Sequence, residues 1–125
     1  MGASSQQKIE MVNKNLQTFI PKVRSAKQNI PLTISLQVRS IRAYGSAGIN
    51  LAYLAMGAVD AYFEFGFHIW DYAAPLLIVR EAGGVAMDTT GGEVDYLARR
   101  MLATASKELA DQILPNITSI DMDRD

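Results

Sequence analysis

At 125 residues, with 49% apolar side chains and no cysteine, the chain suits one domain that buries roughly two-thirds of its unfolded surface; disulfides, thiolate metal sites and cysteine nucleophiles are excluded. A single histidine makes zinc chemistry a poor fit. The net charge of −1 hides an asymmetry: residues 1–42 carry seven Lys or Arg against Glu10 alone, and residues 43–125 carry five against twelve acids, so a divalent cation belongs to the later part.

In chain order, Ser4 and Gln7 stand at capping-box spacing, and Ile9, Val12, Leu16 and Phe19 follow at helical intervals, which predicts a helix over 1–21 closed by Pro21. Residues 22–37 read as a basic surface loop, flanked by two copies of Val-Arg-Ser at 23–25 and 38–40. Val38 to Tyr44 reads as a short strand entering Gly45-Ser46-Ala47-Gly48, after which Ala47, Leu51, Leu54 and Ala58 mark a helix as far as Gly57. Ser46 is its natural N-cap, and the free N–H groups that follow suit an anion or a hydroxyl oxygen. An ordinary capped helix packed by small residues is the reading that this stretch by itself favours.

Val59 to Phe65 alternates strictly, with Val59, Ala61, Phe63 and Phe65 on one face and Asp60, Tyr62 and Glu64 on the other, as in a half-buried strand. Past Gly66, the run from Tyr72 to Ala82 predicts a helix that starts close to Asp71, because Pro75 belongs in a first turn, and Gly83-Gly84 stops it. Asp71 is therefore expected at a helix N-terminus, beside a strand exit that also presents Glu64. Such a place suits a metal or a polar ligand. Trp70 is expected to anchor Asp71 from the core, and His68 to be packed and hydrogen-bonded. Strands at 85–88 and 101–104, a turn at 89–92 and a Ser106-capped helix over 107–114 complete an α/β layered pattern, with a loose tail at 118–125. Asp60, Glu81, Asp88, Glu93 and Asp95 read as solvated surface acids.

The uncharged run 43–59 falls short of the roughly 20 residues that a spanning helix needs. Met-Gly-Ala-Ser-Ser approaches a myristoylation signal but has Gln6 where Ser or Thr is wanted. No membrane association is expected, and the chain reads as cytoplasmic. Residues 22–42 lack the aromatic interleaving of single-strand binders, so no nucleic-acid partner is expected either.

Gly45-Ser46-Ala47-Gly48, Asp60-Ala61-Tyr62-Phe63-Glu64, Trp70-Asp71-Tyr72-Ala73-Ala74-Pro75, Arg80-Glu81-Ala82-Gly83-Gly84 and Thr90-Gly91-Gly92 closely resemble, in order and spacing, the C-terminal half of the inositol monophosphatase family. The resemblance covers residues 38–117, and less closely 2–20. It implies half of a five-layered α-β-α-β-α sugar-phosphatase fold and hydrolysis of inositol monophosphate or a related sugar phosphate with Mg²⁺. By that resemblance Asp71 ligates one magnesium and lies against the substrate, Glu64 accepts a hydrogen bond from an inositol hydroxyl, and Gly45, Ser46 and Ala47 line the substrate pocket. The family's other ligands come from a preceding glutamate and an Asp-Pro-x-Asp-Gly-Thr cluster, which nothing in these residues matches. The segment 22–37 looks inserted, with a splice boundary at the Val-Arg-Ser copies, and Met1 falls where the family has an interior apolar residue, as in a chain begun at an internal methionine. The expectation is thus a C-terminal portion of a magnesium-dependent phosphatase, inactive by itself. The alternative is a non-catalytic module that pairs with a full-length phosphatase subunit or forms a homo-oligomer.

Overall fold

A computed structural model describes residues 9–13, 38–42 and 44–125. The helices and strands in order are β1 (Ile9–Asn13), β2 (Val38–Arg42), α1 (Ala47–Ala55), β3 (Ala61–Phe65), α2 (Ile69–Glu81), β4 (Val85–Met87), β5 (Arg100–Thr104) and α3 (Lys107–Ile113), with a 3-10 turn at Leu114–Asn116. The strands form one sheet in the order β2-β1-β3-β5-β4. β1 runs parallel to both of its neighbours, whereas β5 is antiparallel to β3 and β4.

Both faces of this sheet are covered. Ala61, Phe63 and Phe65 of β3 pack with Met87, Leu102, and Ala110 and Ile113 from the α3 side. Tyr62, Met101 and Ala103, pointing the other way, pack with Leu51 and Leu54 of α1 and Tyr72, Leu76 and Val79 of α2. β3 is therefore buried along its whole length, not half-buried as its alternation predicts. The alternation is real, but its second face holds Tyr62 and Glu64 against two helices instead of water. The result is three layers, α1 and α2, then the sheet, then α3.

Local signals place the helix ends. Ser46 Oγ accepts the N–H of Ile49 at 3.3 Å, and Ser106 Oγ accepts that of Leu109 at 3.2 Å. At the end of α2, Gly83 takes φ +91°, its N–H bonds Arg80 O at 3.0 Å and the N–H of Gly84 bonds Val79 O at 2.9 Å, the two bonds of a Schellman stop. A Cβ on Gly84 would lie 2.6 Å from Val79 Cγ1, so only glycine lets α2 turn back against β5.

Four further expectations are corrected. Within the predicted 1–21 helix, the described residues Ile9–Asn13 form β1, because pairing with strands on both sides overrides the helical spacing of Ile9 and Val12; the rest of that helix and the 22–37 loop lie outside the described residues. The helix carrying Asp71 starts at Ile69, close to Asp71 as expected, but Pro75 lies inside it and not in its first turn. A proline there costs about 3 kcal/mol, which the burial of Tyr72, Leu76 and Val79 offsets at about 1.5–3 kcal/mol per large apolar side chain. Asp88 is not a surface acid: only 3% of it is exposed. Its carboxylate accepts Arg100 Nε at 3.1 and 3.2 Å, Thr90 N–H at 2.9 Å and Thr90 Oγ1 at 2.8 Å.

The fourth correction concerns residues 118–125. They form no helix or strand, yet they are tied down rather than loose. Arg100 bonds Ile120 O and Asp121, Arg99 bonds Asp123 O, Arg124 bonds Asp95, and the N–H of Asp125 bonds Leu97 O. Ile117, Ile120 and Met122 add apolar contact with the core beside α3.

Candidate active site

The N-termini of α1 and α2 meet at a cleft of about 200 Å³ lined by Gly45, Ser46, Ala47, Gly48, Phe67 and Asp71. Gly45 takes φ +75°, which turns the chain sharply into α1, and Ser46 is extended, as an N-cap must be. Ser46 Oγ serves Ile49 N–H and Ser46 O serves Asn50 N–H. The N–H groups of Ala47 and Gly48 belong to the first turn, where no carbonyl within the helix can reach them. The rim from α1 therefore offers N–H donors at the positive end of a nine-residue helix.

The rim from α2 is anionic. Asp71 is the third residue of that helix, and its Oδ2 accepts the backbone N–H of His68 at 2.9 Å. This bond fixes the carboxylate over the first turn, leaving Oδ1 without a hydrogen-bond partner among the described residues. Carboxylate and helix terminus suit each other electrostatically. The His-x-x-Asp spacing is that of a capping box with histidine in the usual serine place, the one signal in the sequence that could have revealed His68 as the residue holding Asp71.

Of the expected site residues, Gly45, Ser46, Ala47 and Asp71 come together at the cleft. Glu64 does not line it: the side chain is 2% exposed on β3 and accepts the hydroxyl of Tyr62. Phe67 and Gly48 line the cleft and were not anticipated. Trp70 is no core anchor. It is 73% exposed and stacks on the His68 ring at 4.5 Å and 8°. Successive residues of a helix are turned about 100° apart, so Trp70, Asp71 and Tyr72 cannot all point inward, and here Tyr72 takes the core position. Tyr72 donates to Tyr96 O at 2.8 Å, and burial, then Tyr96, pushes its hydroxyl pKa upward.

As a metal site the cleft supplies one hard oxygen ligand. Among the described residues no three His, Cys, Asp or Glu side chains gather closely enough to hold an ion. Asp71 has the chemistry Mg²⁺ prefers, but magnesium takes six oxygens, several of them usually water. The donor set fits one protein ligand of such an ion.

Comparison with known proteins places this geometry. The profile of the inositol monophosphatase family matches residues 2–122. Inositol monophosphatase 1 of Bos taurus is 44% identical over 103 residues, which are 82% of this chain and 37% of that protein. The extragenic suppressor protein suhB from Bartonella henselae superposes at a TM-score of 0.78 with 26% identity, over 89% of this chain and 42% of that one. The inositol monophosphatase from Anabaena (Nostoc) gives 0.76 and 25%, over 89% and 43%. The chain thus spans about two-fifths of the length of the relatives it matches. On the profile match and this identity, the chain belongs to the inositol monophosphatase family.

Proposed function

We propose that these 125 residues form the C-terminal portion of a magnesium-dependent, cytoplasmic inositol monophosphatase, contributing the substrate-binding end of its active site. The observation that supports this reading is the convergence of Asp71 with the Gly45–Gly48 turn on one cleft. In the reaction, water attacks the phosphorus of a phosphate monoester, the phosphorus–oxygen bond to the sugar breaks, and inositol and inorganic phosphate leave. Metal ions, when bound, would activate the water and stabilise the departing oxygen. Asp71 would contribute one ligand oxygen through Oδ1, which has no partner among the described residues, its other oxygen kept in place by His68. The N–H groups of Ala47 and Gly48 would take a substrate hydroxyl or phosphate oxygen. Glu64 is not among the cleft's lining residues, and by the family's pattern it would accept a hydrogen bond from a substrate hydroxyl.

Chemistry by this portion alone would fall short on ligands. Paired metal sites hold their ions about 3.5–4 Å apart and need several converging carboxylates; among the described residues the cleft offers Asp71 only. We therefore assign catalysis to these residues together with the family's Asp-Pro-x-Asp-Gly-Thr segment. Binding tests this portion directly, with Mn²⁺ as a paramagnetic substitute for Mg²⁺. The free Mn²⁺ signal should fall when the chain and inositol monophosphate are both present, and Asp71→Asn should restore it, whereas Glu64→Gln should leave it lowered. No difference between the chain and Asp71→Asn would sink the assignment.

A second reading, a module that pairs with another phosphatase subunit, has one observation in its favour. Trp70, Leu77 and Ile78 of α2 form an exposed apolar stripe at seven- and eight-residue spacing, and Ile49 of α1 and Met56 at its C-cap are exposed as well.

A further inference from the structure

Arg99 is the only described non-glycine residue with positive φ, at +58°. A side chain in that region is disfavoured by roughly 1–2 kcal/mol, so something must hold it. Both its backbone and its side chain are engaged with one turn. Arg99 O accepts the N–H of Gly66 at 2.8 Å, Nη2 donates to Gly66 O at 2.9 Å and Nε donates to Phe67 O at 3.3 Å. The remaining arm reaches the C-terminal segment, with Nη1 donating to Asp123 O at 3.3 Å. Two residues on, Asp125 Oδ1 lies 2.6 Å from His68 Nδ1. Its N–H is tied to Leu97 O, and Arg124 is tied to Asp95.

The turn so gripped is the one that builds the cleft. Phe67 lines it, and His68 caps α2 while donating its N–H to Asp71. Gly66 takes φ +88° and Arg99 φ +58°, so neither end of this contact is held by a regular strand or helix. Its geometry depends on the guanidinium fork and on the segment that closes over it.

We propose that Arg99 and the segment Asp123–Asp125 form a positioning clamp for the cleft, fixing Gly66–His68 and through His68 the carboxylate of Asp71. The inference rests on the reading of the cleft as the substrate site, but its geometry does not. Release of the segment frees His68 on one side and removes one of Arg99's anchors on the other. The site then loses its fixed wall without losing any residue that touches substrate.

The chain reports on this itself, because Trp70 is its sole tryptophan and stacks on the His68 ring. Time-resolved anisotropy of the full 125-residue chain at one fixed pH measures sub-nanosecond motion of that indole. Asp125→Ala should raise the amplitude of the fast depolarisation roughly twofold, the scale of losing the weakest of aromatic stacking contacts, with the far-UV spectrum unchanged. Arg99→Gly keeps a backbone that accepts positive φ while deleting the fork, and should give the same rise. Arg99→Lys should behave like the glycine variant, since an ammonium cannot span three carbonyls. Combining Arg99→Gly with Asp125→Ala should add little to either. If Arg99→Gly proves unfolded, Asp125→Ala alone decides. An Asp125→Ala chain with wild-type anisotropy would overturn the clamp, as would a folded Arg99→Gly chain in which Trp70 is unchanged, because Arg99 would then serve only its backbone. Mn²⁺ titration of the unaltered chain in the presence of inositol monophosphate is the separate arm. Failure to bind there removes the reading of the cleft and leaves the clamp standing on anisotropy.

Discussion

Replacing Asp88 by alanine removes a buried carboxylate on which three donors converge, and the structure sets the size of the loss. Arg100 Nε loses a partner at 3.1 Å, and the N–H and hydroxyl of Thr90 lose an acceptor at 2.9 and 2.8 Å. The Arg100 side chain is only 15% exposed, so its charge cannot return fully to water. Breaking a buried pair from one side costs about 3–5 kcal/mol. Arg100 keeps Asp121 and the carbonyl of Ile120, which puts the loss at the lower end, about 3 kcal/mol. With a urea slope of about 2 kcal/mol per molar, the unfolding midpoint should fall by about 1.5 M. Asp88→Asn keeps an oxygen for Thr90 and should fall by less. Adding Arg100→Met to Asp88→Ala should recover part of the loss, since the orphaned charge goes too. The assay is equilibrium urea unfolding followed by far-UV circular dichroism. A midpoint for Asp88→Ala within about 0.3 M of the parent, on the same slope, would refute the claim that this pair locks β4 to β5.

Gly84→Ala should destabilise the chain by about 1–3 kcal/mol in the same urea assay, since its Cβ meets Val79 Cγ1 at 2.6 Å with the carbonyls of Val79 and Thr104 close behind; a neutral result would mean that the end of α2 can move away from β5. The C-terminal segment should detach in acid. The Arg124 fork, then the N–H of Leu97, hold the Asp95 carboxyl below the ordinary aspartate range; at Asp125 burial works the other way, but His68 and Arg99 outweigh it, and the net shift is again downward. Carboxyls lowered by folding contribute stability that is present above about pH 4 and lost as pH falls through their folded values, so the mobility of Trp70 should rise as pH falls below about 4. A restraint that survives full protonation of these carboxyls would contradict the sign. The apolar stripe of Trp70, Leu77 and Ile78 should make the isolated chain self-associate in sedimentation velocity, with Leu77→Glu shifting it toward monomer; a monodisperse parent would count against a covered face.

What the sequence disclosed about this fold was local. Ser46, Ser106 and the Gly83-Gly84 pair act within one helical turn, so the helices they bound were legible to within a few residues. The cleft was legible in the same way, because Gly45–Ala47 and Asp71 each sit at a helix start that the sequence announces. Contacts between distant residues were not legible. Nothing near Ile9 shows that a strand awaits on either side of it, and nothing near Asp88 shows that Arg100, on the neighbouring strand, turns it into a buried acid. Alternation in β3 separated its two faces correctly, but periodicity cannot say whether a helix or water covers the second. The C-terminal segment looked loose because it has no repeating pattern, although residues 20 to 57 positions away tie it down. Trp70 was misplaced for a related reason: adjacency to Asp71 in a motif does not say which side of α2 it occupies.

Phosphate release from inositol monophosphate by the purified 125-residue chain, with saturating Mg²⁺, tests the central claim most directly. Among the described residues the cleft holds one metal ligand, Asp71, and a substrate wall. This arrangement therefore predicts no release above background from the chain alone, release when a segment carrying the family's Asp-Pro-x-Asp-Gly-Thr cluster is supplied in trans, and loss of that release on Asp71→Asn. Turnover by the chain alone in the ordinary enzymatic range of about 1–10³ per second, abolished by Asp71→Asn, would contradict it.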